Sequence, residues 1–177
     1  MTEKLDARGL NEAQAIARYQ SRNYPKPALT ADIVILSREQ AQLQVLLIRR
    51  GGHPYLDFYA LPGGFAQADE TVEQTAAREL EEETGVAGLP LKLLGIYSQP
   101  GRDPRGWVVS AAYLAVIKAD RLKVQAGDDA ADACWFTIRQ EEGEFLLQSS
   151  RLCLSHRELA FDHARILEDA LQRLSAE

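Results

Sequence analysis

The stretch GFAQADETVEQTAARELEEETGV, residues 64–86, decides how the chain is read, because it gathers Glu70, Glu79, Glu82 and Glu83 into one segment bounded by glycines. The spacing predicts a helix from Glu70 or Thr71 to Thr84, with Asp69 as its N-cap and Gly85 supplying the left-handed position that ends it. On such a helix Glu79 stands three residues from Glu82 and four from Glu83, so the three carboxylates meet on one patch. Val72, Ala76 and Leu80 form a second stripe, suited to lying against a sheet. Like charges at these spacings repel by about 0.2–0.5 kcal/mol per pair when exposed, and divalent cations reverse that repulsion. Mg2+ takes about six oxygen ligands, so carboxylates and phosphate oxygens make a suitable shell, and Mn2+ accepts the same donors. Acidic helix faces are usually just solvated surface; the flanking sequence argues otherwise here. Leu61-Pro62-Gly63-Gly64 reads as a tight turn that buries no side chain and turns backbone groups, including a carbonyl able to ligate a metal, toward the helix start.

Working outward, 177 residues fit one domain, and 46% apolar residues exclude wholesale disorder. The division expected is an N-terminal helical extension over residues 1–23 and a single domain over residues 24–177. In the extension, Asn11 caps a short helix with Ala13, Ile16 and Ala17 facing in. Residues 30–36 and 42–49 read as a hairpin, 59–61 as a short edge, and 91–97, 107–117 and 136–138 as further strands. Residues 145–154 are ambiguous. The last helix runs from His156 or Arg157 to Ser175, with Leu159, His163, Ile166, Leu167, Ala170, Leu171 and Leu174 inside. Strands interrupted by two strong helices give an α/β fold, with a mixed sheet covered on both faces.

A formal charge of −6 and a sequence pI near 5.2 argue against nucleic acid as a partner. No apolar run reaches the length of a membrane span, and the N-terminus lacks a signal-peptide core. Cys134 and Cys153 form neither a CxxC pair nor a zinc spacing, so a reducing, cytoplasmic setting is the default.

The opening segment resembles, without a gap, the Nudix box: G, five residues, E, seven residues, REU, any residue, EE, any residue, GU, with U aliphatic. Here it reads Gly64, Glu70, Arg78-Glu79-Leu80, Glu82-Glu83 and Gly85-Val86. The order of elements resembles the Nudix α/β/α sandwich from about Tyr24 to Leu174. The resemblance implies hydrolysis of a nucleoside diphosphate linked to another moiety, with Glu79, Glu82 and Glu83 as metal ligands assisted by the Gly63 carbonyl. It makes Glu70 and Arg78 the pair that fixes loop and helix.

A second informative place is the loop SQPGRDPRG, residues 98–106, which holds Arg102 and Arg105 beside two prolines that cut the entropy of ordering it. Guanidinium forks suit phosphate oxygens. The loop resembles that of ADP-ribose pyrophosphatases, in which a proline about fifteen residues after the box marks the subgroup; Pro100 lies fourteen after Val86. Residues 26–32, 47–51 and 159–163 are also similar to that group and to relatives that sense ADP-ribose to regulate transcription. Those regulators carry a further C-terminal winged-helix domain, so a chain ending at Glu177 is not expected to be one of them.

The reaction implied is Mg2+-dependent cleavage of ADP-ribose to AMP and ribose 5-phosphate, catalysed through Glu79, Glu82 and Glu83, supported by Arg78, with Asp129 as a further metal or water ligand. Glu141, Glu142 and Asp128 share Asp129's candidacy. Arg49, Tyr97, Arg102 and Arg105 are the expected substrate contacts, and Arg50 is expected to face solvent because adjacent strand residues point oppositely. Two alternatives stay open: the same chemistry on NADH, another nucleoside diphosphate sugar or a nucleoside triphosphate, and an ADP-ribose sensor without turnover. The resembled group also implies a homodimer.

Overall fold

The run Ala31-Asp32-Ile33-Val34-Ile35-Leu36 is apolar everywhere but at Asp32 because its strand, β1 (Ala28–Glu39), is covered on both faces. Ala31, Ile33 and Ile35 point into one core and Val34 and Leu36 into the other. The computed structural model describes residues 4–39, 42–118, 133–141, 144–150 and 152–176. Around β1 stand helix α1 (Glu12–Ser21), strands β2 (Gln42–Arg49), β3 (Tyr59–Ala60) and β4 (Gly63–Phe65), and helix α2 (Val72–Thr84). They are followed by strands β5 (Lys92–Tyr97), β6 (Val108–Lys118), β7 (Ala133–Glu141), β8 (Glu144–Gln148) and β9 (Cys153–Ser155), a 3-10 turn at His156–Glu158, and helix α3 (His163–Ala176).

The strands form one mixed sheet in the order β5-β6-β1-β2-β7-β8-β9, with β3 beside β2 and β4 beside β1. Only β1 and β6 run parallel among the described pairs. Helix α2 packs Ala76 and Leu80 on one face; α3 packs Ile166, Leu167, Ala170 and Leu171 on the other. This is the expected α/β/α sandwich.

Several boundaries differ from the sequence expectations. Strand β1 is longer than residues 30–36 because its parallel register with β6 runs from Ala28–Val108 to Arg38–Lys118. Gly63 and Gly64 lie in β4, with Asp32 opposite Gly63, and Leu61 and Pro62 before them are buried, so the segment is no free turn. Residues 145–154 resolve into β8 and β9. The last helix starts at His163, and Leu159 packs into the core from the preceding turn. Asn11 does cap α1, in a reciprocal pair with Gln14, but this helix buries nothing: Ile16 is 50% exposed. Trp107, just before β6, is 56% exposed. No helix among the described residues is long and apolar enough to cross a membrane.

Candidate active site

Helix α2 begins at Val72, one or two positions later than expected. Thr71, not Asp69, is its N-cap: the hydroxyl accepts from Gln74 N while the Gln74 side chain accepts from Thr71 N. Gly85, with φ 70°, closes it. With Ala76 and Leu80 against the sheet, Arg78, Glu79, Glu82 and Glu83 are carried away from that contact toward β4.

Arg78 organises this face. Its Nε and Nη2 donate to the two Glu70 oxygens at 3.1 and 2.7 Å, Nη2 also to the Phe65 carbonyl at 3.1 Å, and Nη1 to Glu79 at 2.6 Å and Glu82 at 3.0 Å. Glu70 also accepts from Gln67 N. Arg78 and that amide hold the Glu70 carboxyl at about 2, well below the usual range. The support role expected of Glu70 and Arg78 thus has a geometric counterpart: they tie helix to loop.

Glu83 turns the other way. Its Oε2 accepts from Gly63 N at 2.7 Å, so the amide of Gly63 meets this carboxylate. Burial pushes Glu83 up to about 8, and Glu79 and Asp32 add to the rise against the pull of the Gly63 amide. Glu79 is raised too, chiefly by burial, with Arg78 opposing. The two glycines are explained by their surroundings. A Cβ on Gly63, whose φ is 153°, would lie 2.9 Å from the Asp32 Cα, and one on Gly64 would lie 2.6 Å from Glu79 Oε2.

Beside Gly63 opens a pocket of about 230 Å³ whose wall includes Asp32, Arg50, Arg102, Arg105, Phe161 and His163. Asp32 is buried and accepts from Ser110 Oγ at 2.5 Å; Arg102 Nη2 stands 3.5 Å from it and His163 Nε2 3.7 Å. Its signal was present in the sequence, as the one acid inside a core strand.

The expected substrate contacts divide. Arg102 and Arg105 both line the pocket, but each is already paired. Arg102 donates to Asp162 through Nε and Nη2 at 2.8 and 2.6 Å, and Arg105 donates to Asp103. Arg49 does not line it; its Nη2 pairs with Asp57 at 2.6 Å in an exposed contact. Arg50 does line it, contrary to expectation, because it lies just past the end of β2, where strand alternation stops applying. Its amide donates to Phe58 O and its Nε to Pro54 O, which folds the loop over residues 51–58 around it. Tyr97 belongs elsewhere: its ring packs in the core, its hydroxyl donates to Asp169 at 2.8 Å, and it borders a separate pocket of about 800 Å³ along α3. Asp128, Asp129 and Glu142 lie outside the described residues; Glu141 is exposed at the end of β7.

Among the described residues, no three metal-ligating side chains are already gathered around one point. The chemistry of the donors nevertheless fits a hard divalent cation: Glu79, Glu82 and Glu83 offer only carboxylate oxygens, and the half-buried Glu83 makes no ion pair among the described residues. Arg78 supplies the positive charge that Glu79 and Glu82 require.

The fold is that of a Nudix domain. The NUDIX domain family matches residues 26–156, and the chain belongs to that family. Among curated relatives, it is 36% identical over 169 residues to the ADPR responsive transcriptional repressor NtrR of Acinetobacter baylyi, covering 93% of this chain and 61% of the repressor. It is 37% identical over 151 residues to the ADP-ribose pyrophosphatase of Methanocaldococcus jannaschii, covering 85% of this chain and 77% of that protein. Among solved structures, a MutT/nudix family protein from Enterococcus faecalis superposes with a TM-score of 0.82 at 36% identity, over 96% of this chain and 71% of that one. The NUDIX domain of Shewanella oneidensis NrtR, complexed with ADP ribose, superposes with a TM-score of 0.73 at 31% identity, over 93% of this chain and 99% of that one.

These relatives correct one expectation. The exclusion of nucleic acid, drawn from net charge and pI, does not stand. The Acinetobacter relative is a transcriptional repressor, and Shewanella NrtR, matched with a TM-score of 0.63 at 31% identity over 84% of this chain and 62% of that one, has been crystallised with a 27mer DNA. Charge averaged over a chain does not describe its local surfaces.

Proposed function

We propose that this chain hydrolyses the pyrophosphate bond of ADP-ribose, giving AMP and ribose 5-phosphate, with Mg2+ as the cofactor and Mn2+ as a substitute. The observation that carries this reading is the half-buried carboxylate of Glu83, anchored to Gly63 N beside a pocket bordered by three arginines. The names of the relatives supply the substrate: an ADP-ribose pyrophosphatase at 37% identity and an NrtR domain bound to ADP ribose.

Glu79, Glu82 and Glu83 would hold the ion, with the Gly63 carbonyl assisting. When bound, it neutralises the diphosphate and acidifies the attacking water. The chain's own residues do the rest. Arg78 fixes Glu79 and Glu82 against Glu70, so the carboxylates are ordered before substrate arrives. Gly63 N orients Glu83, and Asp32 and His163 line the same pocket as the arginines. Water adds to one phosphorus, the P–O–P bridge breaks, and its oxygen leaves with the other phosphate. Asp129 is retained in this proposal as a further ligand of metal or water. The expected homodimer and cytoplasmic setting belong to the same proposal.

A panel of ADP-ribose, NADH, other nucleoside diphosphate sugars and nucleoside triphosphates, assayed with Mg2+, tests the substrate. ADP-ribose should give AMP and ribose 5-phosphate fastest; faster cleavage of another member overturns the choice. Glu82→Gln should lower turnover by about 10²-fold or more while the circular dichroism spectrum stays unchanged. A second reading, favoured by the repressor's name, is an ADP-ribose sensor. Tight ADP-ribose binding without Mg2+-dependent product would select it.

A further inference from the structure

Phe161 stands in the left-handed region, with φ 56°, a conformation unfavourable for a bulky residue. Two more such residues, Tyr55 at φ 63° and Asp57 at φ 68°, occur in the loop facing it, and the Tyr55 ring rests edge-on against Phe161 at 4.8 Å between centroids. Unfavourable backbone thus occurs at Phe161, in the pocket wall, and in the loop that packs against it. What that wall carries is a pair of cations. The Arg50 guanidinium lies over the Phe161 ring at 4.8 Å and that of Arg105 at 5.2 Å, with Arg105 also over Phe65 at 4.7 Å.

The free donors of this pair are well defined. Arg50 spends Nε on the Pro54 carbonyl, and among the described residues its Nη1 and Nη2 have no hydrogen-bond partner and no carboxylate in contact. Arg105 spends Nε and Nη2 on Asp103, so its Nη1 is left over. Two like charges this close repel each other, as the downward shift of Arg50 shows, with burial its largest cause and Arg105 the next. A single aromatic ring attracting both is a direct way to keep them together in the absence of ligand. Arg102, whose Nε and Nη2 are likewise held by a carboxylate, that of Asp162, differs in that among the described residues it lies over no aromatic ring.

We propose that Phe161 is a positioning residue, whose ring holds Arg50 and Arg105 together as a clamp for the paired phosphates of the substrate. This rests on the pyrophosphate-cleaving reading of the same pocket, and it assigns the backbone cost at Phe161 to ligand recognition. Phe161 touches no reacting atom; its effect is exerted through the two guanidiniums.

The test compares wild type with Phe161→Leu, Phe161→Tyr, Arg105→Gln and the double variant Phe161→Leu/Arg105→Gln. Leu keeps an apolar side chain but lacks a π face; Tyr restores it. Affinity for inorganic pyrophosphate is measured by calorimetry with saturating Mg2+, alongside kcat and KM for ADP-ribose and the melting temperature of each variant. Phe161→Leu should weaken pyrophosphate about tenfold and raise KM similarly with kcat within about twofold, while Phe161→Tyr stays near wild type. In the double variant the two losses should fall well short of multiplying, because both substitutions disable one clamp. Equal pyrophosphate affinity in wild type and Phe161→Leu, equal weakening by Leu and Tyr, or fully multiplicative losses would each overturn the proposal. Should ADP-ribose prove not to be cleaved while pyrophosphate affinity still falls in Phe161→Leu, the clamp stands and the substrate assignment falls.

Discussion

Gly63 and Gly64 are neighbours with different constraints, and substituting each should separate folding from activity. A methyl on Gly63 meets the main chain of Asp32, which cannot move without breaking the β1–β4 pairing. Gly63→Ala should therefore lower the melting temperature by on the order of 10 °C. On Gly64 the same methyl meets only the end of the Glu79 side chain. Gly64→Ala should melt within about 2 °C of wild type yet lose at least about tenfold in turnover, because Glu79 must leave its place beside Arg78. His163 gives a pH dependence. Leu61 N donates to its Nδ1 at 2.9 Å, so the ring is neutral with its proton on Nε2, facing Asp32. Burial lowers its pKa below the ordinary 6.5, only partly opposed by Asp32 and Asp162. A depressed basic group contributes stability that is complete above the unfolded value and is lost as pH falls below it. Between about pH 7 and about pH 5 the melting temperature of wild type should drop more steeply than that of His163→Gln; parallel curves would contradict this. At this scale the sequence was read unevenly. The box glutamates could be placed by spacing alone, because a helix has one period. Asp32, Phe161 and the outward-assigned Arg50 could not, because their meeting depends on β1, the segment after β2 and the turn before α3 arriving at one wall.

Among the elements, α2 carries the clearest local instructions. The Thr71–Gln74 reciprocal cap satisfies amides that would otherwise be unpaired, so Thr71→Ala should cost about 1 kcal/mol in a denaturant titration, while Asp69→Ala, altering no cap, should be close to neutral. The misassigned cap was legible: Asp69 and Thr71 are both good capping residues, but only Thr71 has a glutamine three positions on to complete the reciprocal pair. Strand β4 was missed for a different reason. Two glycines carry no strand signal of their own, and Gly63–Phe65 is extended because β1 lies alongside. Helices α1 and α3 make the converse comparison. Both show apolar positions at helical spacing, but only in α3 do they find a sheet.

At the scale of the whole molecule, the expected division at residues 23 and 24 is proposed as a structural one. Helix α1 buries none of its residues, and its Tyr19 packs on Tyr24 in an exposed contact. Removing residues 1–22 should leave the melting temperature within about 2 °C of wild type, since exposed segments contribute little to stability; a larger drop would show that the helix packs against something. The layered α/β/α arrangement was legible because a run such as residues 31–36 only makes sense between two covering layers, whereas the order of strands across the sheet was not, being set by pairings distant in sequence.

One such pairing has a kinetic consequence. The parallel register joins Ala28 to Val108, eighty residues downstream, and the whole of α2 lies within the loop so closed. Local segments can collapse early, yet the chain must bring these remote ends together before Asp32 meets Ser110 and the pocket wall exists. Recovery of ligand binding after dilution from denaturant should therefore lag behind recovery of helical signal, and a synthetic peptide spanning the glutamate segment alone should be incompetent, however faithfully it coils.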